Sequence, residues 1–490
     1  MRFARRVCVV ILAVLLVFVS VTLGKDPYKE YQKCQKQCQQ ESEGGYSQQK
    51  RCQQGCAEEL QRRQEEKGSG RGSDDMYEGR QEEQEQEQEQ NPYVFEDRHF
   101  TTRLQSQHGR FRVLQNFAER SKLLLGIGNY RVAVLEAEPQ TFVVPHHWDA
   151  DTLLYVAQGK GTVSLVSEEK RESFNIQEGD ILRISAGTTT YMINRDNHQK
   201  LVIAKLIRPV ATPGYFESFF GAGGENPESF YRAFSDEILE AALNTRKDKW
   251  QRLFGQQRQG AILKASQEQI RAMSREEEGG QWPFGGQSKG SVNIYEQRPS
   301  QSNQYGKLYE VDSRQYRQLQ DIDVSVSLAN VTKGAMIAPY YNSEATKISI
   351  VLDGEGYFEM ACPHLSSHQE GQGQQQHHGG SQQQQRGPSY QKVSSRLKRG
   401  TVVVIPAGHP FVAVASNNQN LQVLCFEINS RNNQRYPLAG KKNIINQYER
   451  EAKELAFGVS AREVDEVFRS QNEEFFFKGP RQQPQGRADE

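Results

Sequence analysis

The chain has 490 residues, more than one ordinary domain of about 100–200 residues needs, so at least two domains are expected. Its 61 basic residues balance its 61 acidic residues, so no bulk electrostatic field attracts nucleic acid or an anionic membrane. Hydrophobic residues form 36% of the chain and the mean hydropathy is −0.78, which indicates folded cores interrupted by polar tracts. A nucleic-acid partner is therefore not expected, and a net charge near zero favours dense association.

Residues 1–24 have the pattern of a secretory signal peptide. Basic residues precede an apolar run from Val7 to Leu23, and the small residues Thr22 and Gly24 precede a predicted cut before Lys25. The apolar run is long, so a membrane anchor is the alternative interpretation. No other stretch of the sequence could span a bilayer, and no stable membrane insertion is expected of the mature protein.

Four of the seven cysteines form a regular array within residues 25–63, at Cys34, Cys38, Cys52 and Cys56. Each C-x3-C spacing places two sulfur atoms on one face of a helix. Two antiparallel helices could therefore be joined by disulfides from Cys34 to Cys56 and from Cys38 to Cys52. A zinc site is the alternative interpretation of this spacing. Residues 64–90 contain the tract QEEQEQEQEQ and are predicted to be a disordered linker.

The rest of the chain contains the same succession of elements twice, which indicates a duplicated domain. Short runs rich in β-branched residues, such as Tyr130–Ala137, Thr152–Val166 and Gly179–Ser185, are typical of an antiparallel sandwich or barrel. Similar runs recur between Val324 and Val414. The predicted domains are residues 91–285 and residues 286–490, with a Gln-rich loop at about 366–390.

Helical patterns follow each set of strands. In the segment Asn226–Asn244, we predict Asn226 as the N-cap and Pro227 as the first helical residue. The segments Ala265–Ser274 and Asn446–Phe468 are also predicted to be helical. The predicted fold is therefore mainly β, with two barrels that are each followed by α-helices, plus the N-terminal α-helical hairpin.

Long phrases of the sequence resemble vicilin-type (7S) seed storage globulins of the cupin superfamily. They include PHHWDADTLLYVAQGKG, GDILRISAGTTTYMINRDN and the terminal AFGVSAREVDEVF, and the resemblance extends over about Asn91–Phe477. It implies two cupin barrels, each a double-stranded β-helix or jelly roll. It also implies a non-enzymatic nitrogen reserve, deposited through the secretory pathway in the protein storage vacuole of the seed and mobilised on germination. Gln-rich tracts such as Gly371–Gly387 would add side-chain nitrogen to such a reserve.

The same resemblance implies three kinds of partner or product. Vicilin-like proteins assemble as homotrimers in which the helical extension of one subunit docks on the next, and the apolar stripes of the predicted helices agree with this. Recognition by IgE antibodies is implied by the family alone. Cys-rich N-terminal segments of vicilin-like precursors are similar to small antimicrobial hairpins, so we expect that residues 25–63 could be released with such an activity.

Cupin enzymes hold a metal inside the barrel with three histidines and one glutamate, and the resemblance allows these positions to be checked. In the first barrel, Thr190 stands at a histidine position and Thr152 at the glutamate position. His146 and His147 are thus left without their usual partners. Since adjacent residues of a strand face opposite sides, these two histidines are not expected to point inward together unless the strand bulges.

In the second barrel Phe411 stands at the histidine position and Lys347 at the glutamate position, and the histidine pair is replaced by Pro339–Ser343. Phe411 is expected to be a packing residue. The alternative function, a metal-dependent bicupin oxidase or decarboxylase, needs a defined ligand set with an open position, so the sequence argues against it.

A different metal site is a hypothesis for the second barrel. Cys362 and His364 are two residues apart on a strand-like segment and can face the same side, and His409 lies in the turn PAGHP. A thiolate with two imidazoles suits copper. The resemblance to some vicilin-like globulins adds Tyr93 as a further ligand. The alternative is that Cys362 is a small buried hydrophobic residue and His409 a loop histidine.

The sequence Asn330-Val331-Thr332 is an N-glycosylation sequon. It lies at a predicted boundary between a strand and a turn. On a secretory route, we expect a glycan at Asn330.

Overall fold

The computed structural model describes residues 91–223, 226–257, 259–274, 290–365 and 389–481. The predicted signal peptide (1–24), the hairpin with its four cysteines (25–63) and the linker (64–90) lie outside the described residues. So do residues 366–388 of the Gln-rich loop.

Strands dominate the first half of the described chain, where β-branched and aromatic residues favour a pleated, half-buried backbone. They are β1 (Val94–Phe95), β2 (Phe100–Ser106), β3 (Gly109–Leu114), β4 (Arg131–Ala137), β5 (Thr141–Trp148), β6 (Ala150–Gln158), β7 (Lys160–Val166), β8 (Arg171–Gln177), β9 (Asp180–Ile184), β10 (Thr189–Asn194), β11 (Leu201–Pro209), β12 (Ser218–Phe220) and β13 (Ile262–Lys264).

The second half repeats this pattern. Its strands are β14 (Val292–Asn293), β15 (Gln301–Asn303), β16 (Gly306–Val311), β17 (Val324–Val331), β18 (Ala335–Ile337), β19 (Tyr340–Asn342), β20 (Thr346–Asp353), β21 (Glu355–Cys362), β22 (Gln391–Lys398), β23 (Val402–Ile405), β24 (Phe411–Ala415), β25 (Leu421–Ile428), β26 (Arg435–Pro437) and β27 (Phe476–Lys478).

Each half forms two antiparallel sheets that enclose a core, which confirms the predicted pair of barrels. In the first barrel of the described chain, the sheet β14-β9-β6-β11-β4-β3-β2 packs on the sheet β12-β5-β10-β7-β8. In the second barrel, the sheet β1-β23-β20-β25-β17-β16-β15 packs on the sheet β22-β21-β24-β18-β27.

Each half of the chain gives one short strand to the barrel of the other half. β1 pairs with β23 of the second barrel, where the Tyr93 carbonyl accepts a hydrogen bond from the Val404 N–H at 2.8 Å. In return, β14 pairs with β9 of the first barrel. Tyr93, Phe95 and Ile294 are fully buried in a core that includes residues of both halves. The two barrels therefore share strands as well as a core.

The helices of the described residues are short and lie mostly after the strands of each barrel. They are α1 (Phe117–Arg120), α2 (Asp236–Leu243), α3 (Lys247–Gly255), α4 (Gln267–Met273), α5 (Arg450–Phe457) and α6 (Ala461–Phe468). α4 lies within the predicted segment Ala265–Ser274 and begins with a capping box at Ser266. Among these described helices none is long and apolar enough to cross a membrane.

Two helical predictions differ from the structure in their boundaries. The prediction that Asn226 caps a helix is wrong, because α2 starts at Asp236, where the Ser235 side chain accepts the Ile238 N–H. Ser229 caps a separate 3-10 turn, and Phe234 between them is extended. The segment Asn446–Phe468 contains two α-helices, because Gly458 ends α5 in the left-handed conformation with φ 66°.

The interior of the first barrel contains a buried lysine with no carboxylate partner among the described residues. Lys205 lies in the middle of β11 on the same side as Ile203 and Ile207, which face the core. It is 2% exposed, and its ammonium group lies 4.5 Å from the centroid of the Trp148 ring and 5.7 Å from that of Phe111. Cation–π contacts offset part of the cost of burial. Burial still lowers the pKa of Lys205 to about 7.

The second barrel also contains a buried lysine, but this one is paired. Lys347 on β20 is 3% exposed, its Nζ lies 3.0 Å from a Glu427 oxygen, and it donates to the Tyr340 hydroxyl at 2.8 Å. Ser327 donates to the same carboxylate at 2.9 Å, and Arg435 lies 3.8 Å from it. Burial opposes the charge of Lys347, but Glu427 and Tyr340 outweigh it and raise the pKa of Lys347. Burial likewise opposes the charge of Glu427, and Lys347 and Arg435 lower the pKa of its carboxyl.

Replacement of Lys205 by methionine and replacement of Lys347 by methionine should therefore change the free energy of unfolding in opposite directions. Lys205→Met removes an uncompensated buried charge, so we expect the free energy of unfolding at pH 7 to rise by about 1–4 kcal/mol. Lys347→Met leaves Glu427 without its lysine, so we expect a loss of about 3–5 kcal/mol. Thermal and urea unfolding of both variants beside the unchanged protein measure this difference.

The pH dependence gives the control for this prediction. Between pH 7 and about 10, the unfolded chain holds a proton on Lys205 that the folded chain has released. The free energy that the buried charge of Lys205 costs the folded state is therefore greatest below pH 7. It falls as the pH rises and disappears above about pH 10.4. The gain in free energy of unfolding that Lys205→Met gives over the unchanged protein should shrink as the pH rises from 7 to about 10.4. A Lys205→Met protein as destabilised at pH 7 as Lys347→Met would contradict the assignment.

Candidate functional site

The positions of the cupin metal ligands in the first barrel hold no complete ligand set. His146 is buried, its Nδ1 lies 2.8 Å from the Val144 carbonyl oxygen, and Thr190 lies opposite it across β5 and β10. Thr152 is buried on β6. Burial lowers the pKa of His146 to about 4, so its ring is neutral at neutral pH.

His147 lies on the opposite face of β5 from His146. Its ring stacks on Phe219 with 5.0 Å between the ring centroids. The strand alternation that the sequence predicts is therefore confirmed, and the two adjacent histidines do not converge on one site.

In the second barrel, the positions of the cupin metal ligands hold a packing residue and a lysine that forms an ion pair. Phe411 is buried and packs edge-on against Tyr340, with 4.5 Å between the ring centroids. Lys347 takes part in the ion pair with Glu427 described above. A cavity of about 40 Å³ adjoins these residues, which is room for a few water molecules. An interior cation is thus already supplied by the chain where cupin enzymes place a metal.

The roles of Lys205 and Glu427 were not predicted from the sequence. A signal was present: each is a charged residue at an inward-facing position of an otherwise apolar strand, LVIAKLIRP for β11 and LQVLCFEI for β25. What the sequence does not show is the partner. Lys347 is 80 residues from Glu427 along the chain, and Lys205 has no corresponding acid among the residues that the structure describes.

The residues of the predicted copper site do come together. Tyr93 arrives with the exchanged strand β1, Cys362 ends β21, and His409 lies in the turn before β24. The Tyr93 hydroxyl lies 3.4 Å from the Cys362 sulfur atom. The ring centroids of His364 and His409 are 5.3 Å apart, and those of Tyr93 and His409 are 6.2 Å apart. We call these four residues the thiol cluster.

The electrostatics of the thiol cluster favour a thiolate near neutral pH. Burial raises the pKa of the Cys362 thiol, but contacts with His409, with the Tyr93 hydroxyl and with the backbone N–H groups of His364 and Leu365 outweigh burial and bring it to about 7. Burial, with the contact to Cys362, raises the pKa of the Tyr93 hydroxyl, which therefore stays protonated.

His409 contacts the Cys362 thiol, and one of its ring nitrogens makes no well-formed hydrogen bond within the described part of the chain. Its Nδ1 lies 3.1 Å from the Ala407 carbonyl oxygen, so a proton on Nδ1 is donated to that oxygen. Its Nε2 is buried and makes no well-formed hydrogen bond. This is the tautomer that a metal-binding histidine adopts. Yet within the described part of the chain no three His, Cys, Asp or Glu side chains are close enough together to enclose a metal ion, so binding would need side-chain movement.

Asn330 lies on β17 with its side chain exposed, between Lys307 and Gln422 of the neighbouring strands. The exposed position leaves room for a glycan. Nothing in the fold tests whether one is attached, so the modification stays a prediction.

Comparison with known proteins gives consistent matches. A family model described as Cupin matches residues 96–248 and 292–465. Vicilin Jug r 6.0101 of Juglans regia is 56% identical over 436 residues, which cover 88% of this chain and 86% of that protein. The vicilin-like antimicrobial peptides 2-3 of Macadamia integrifolia are 46% identical over 466 residues, 93% of this chain and 72% of that protein.

A solved structure agrees with the sequence relatives. The crystal structure of vicilin from Corylus avellana (hazelnut) superposes with a TM-score of 0.72 at 55% sequence identity, and covers 79% of this chain and 100% of that chain. The duplicated barrels, the altered ligand positions and these matches lead to one conclusion. The chain belongs to the vicilin, or 7S globulin, family of seed storage proteins in the cupin superfamily.

Proposed function

We propose that the protein is a non-enzymatic reserve of amino acids and nitrogen, carried by the secretory pathway into the protein storage vacuole of the seed. The observation that supports this most is the loss of the cupin ligand set from both barrels, where Thr152, Thr190, Lys347 and Phe411 take the ligand positions. A cupin reaction needs a bound metal with an open coordination position. The family membership supports the storage role.

The storage role is tested by turnover and by abundance. We expect purified protein supplied with Mn²⁺ to convert oxalate no faster than buffer does, while an authentic bicupin oxalate decarboxylase in the same assay does so readily. We also expect its amount in seed vacuoles to fall during germination. Metal-dependent oxalate turnover by this chain would overturn the non-enzymatic assignment.

We propose a homotrimer, with a second copy of this chain as the occupant of the exposed apolar helix faces. α2 and α3 leave Ile238, Leu243 and Leu253 exposed after the first barrel, and Leu253 is 68% exposed. α5 and α6 leave Leu455 and Val467 exposed after the second barrel, and Leu455 is 87% exposed. Two different apolar faces on one chain suit a head-to-tail contact, which closes into a ring.

Charged substitutions in both faces should break this assembly. We expect size exclusion with light scattering to give three times the chain mass for the unchanged protein at micromolar concentration. The double variant Leu253→Glu with Leu455→Glu should give mostly monomer. Tyr390→Glu, at a residue that is 64% exposed but outside these helices, is the matched control and should stay trimeric. A monomeric unchanged protein would refute the proposal.

A second candidate function is copper binding at the thiol cluster. The contact of His409 with a thiol whose pKa is lowered to about 7 supports it, as does the lack of a well-formed hydrogen bond to the His409 Nε2 among the described residues. Cys362, His364, His409 and Tyr93 would hold the ion. Sulfur and imidazole ligands favour copper and would keep it in a stored or resting redox state.

Copper content measures this proposal directly. We expect about one copper per chain in protein isolated from its native tissue or loaded with copper, and almost none in Cys362→Ala or His409→Ala. Cys425→Ala is the matched control. Cys425 is also a buried free cysteine, but it is not part of the thiol cluster, and its sulfur atom lies 3.2 Å from the Ser349 hydroxyl oxygen. Equal copper in Cys362→Ala, His409→Ala and the unchanged protein would remove the site.

Three further expectations remain proposals. The name of the Macadamia integrifolia relative supports release of residues 25–63 as an antimicrobial hairpin, and growth inhibition by that purified peptide would decide it. The exposure of Asn330 supports glycosylation, which a mass measurement of its peptide would decide. Family membership supports recognition by IgE, which binding of serum antibodies would decide.

A further inference from the structure

The first barrel contains polar groups that lack hydrogen-bond partners. The indole Nε1 of Trp148 and the hydroxyl of Thr190 are both buried, and neither makes a hydrogen bond to another described residue. Thr190 lies opposite His146, whose ring is 5.6 Å from that of Trp148, and the Lys205 ammonium lies 4.5 Å from the Trp148 ring. One interior therefore brings together an amine and two unpartnered hydrogen-bond donors. Unpartnered buried donors are costly, so an acceptor placed there would be stabilised.

The amine of Lys205 is also neutral in a larger fraction of molecules than that of an exposed lysine. With a pKa of about 7, most copies of Lys205 are neutral at pH 7.5. An ordinary lysine with a pKa of about 10.4 is neutral in only about one copy per thousand at that pH. A neutral amine has a free electron pair, which is what reaction with a carbon electrophile requires.

We propose that Lys205 takes up carbon dioxide and holds it as a carbamate. The electron pair of Nζ forms a bond to the carbon of CO2, one C=O electron pair moves onto oxygen, and one proton leaves the nitrogen for solvent. Nothing is oxidised or reduced. The resulting carboxylate oxygens are hydrogen-bond acceptors, the type of group that the Trp148 N–H and the Thr190 hydroxyl of the same interior lack among the described residues. CO2 is small, neutral and apolar, so it suits an interior that excludes charged reagents.

The second barrel provides an internal comparison. Lys347 is as deeply buried as Lys205, but Glu427 at 3.0 Å holds it as a cation without a free electron pair. The Glu427 carboxylate would also repel a carbamate at that position. The reaction is therefore specific to the first barrel and does not follow from burial alone.

Chemical trapping tests the proposal on the full-length native protein. The protein is equilibrated with ¹³C-labelled CO2 and bicarbonate at pH 7.5, carbamates are converted to stable ethyl esters with triethyloxonium ion, and the modified peptides are mapped. We expect occupancy at Lys205 to exceed that at Lys347 and at exposed lysines by on the order of 100-fold, because of the difference in neutral amine. The α-amino group of the chain, whose pKa is near 8, is the positive control for the reaction.

Variants test the site itself. Lys205→Met should lose the adduct together with any rise in melting temperature that CO2 causes at constant pH. Thr190→Val keeps the amine but removes one donor, and should lower the trapped fraction several-fold. If the α-amino group is trapped while Lys205 is not, the proposal is wrong. It is also wrong if CO2 raises the melting temperature of Lys205→Met as much as that of the unchanged protein.

Discussion

The exchange of two short strands is the constraint on which the rest of the described structure depends. β1 leaves the first half of the chain and completes a sheet of the second barrel, and β14 does the reverse. These strands and the residues beside them bring Tyr93, Phe95 and Ile294 into a buried core that includes residues of both halves. The exchange also contributes to the thiol cluster, since Tyr93, which immediately precedes β1, lies against Cys362 of the second barrel.

The interiors of the two barrels differ in how they hold a buried lysine. The second barrel has an ion pair whose remaining hydrogen-bonding capacity is met by Tyr340, Ser327 and Arg435. The first barrel has a lone lysine against aromatic rings, with donors nearby that have no acceptor. A buried ion pair whose hydrogen bonds are satisfied can stay charged in the folded protein, whereas a lone buried charge destabilises it. The two barrels share a duplicated fold, but one has a paired buried charge in its interior and the other a buried lysine without an acidic partner among the described residues.

Much of the fold follows from local sequence pattern. The strands were predictable because β-branched residues recur with turn residues between them, and the duplication was visible because the pattern repeats. The boundaries of the helices were less predictable, because a serine cap at Ser235 or a left-handed Gly458 overrides an apolar period that runs through it. The same period appears whether the chain forms one helix or two.

The candidate site was predictable only where it depends on residue type. The resemblance to cupins implied that Thr190, Lys347 and Phe411 replace ligands. The residue types and positions of Cys362, His364 and His409 pointed to the thiol cluster, and the resemblance added Tyr93. It could not show that Lys347 finds Glu427, or that Tyr93 crosses to the other barrel, because both contacts join residues far apart along the chain. Such contacts depend on sheet order and register, which no local period encodes.

The contrast between the interiors makes acid act on the two barrels unequally. The pKa of His146 is about 4 in the folded chain and about 6.5 in the unfolded chain, so the unfolded chain takes up the proton first. The first barrel therefore loses stability as the pH falls from about 6.5 towards 4. The destabilisation from the buried charge of Lys205 is already complete below pH 7 and does not change over that range. Glu427 keeps its charge over that range because its pKa is lowered, so the ion pair of the second barrel persists. Mild acid would therefore reduce the contribution of the first barrel's interior to the free energy of unfolding more than that of the ion pair in the second barrel.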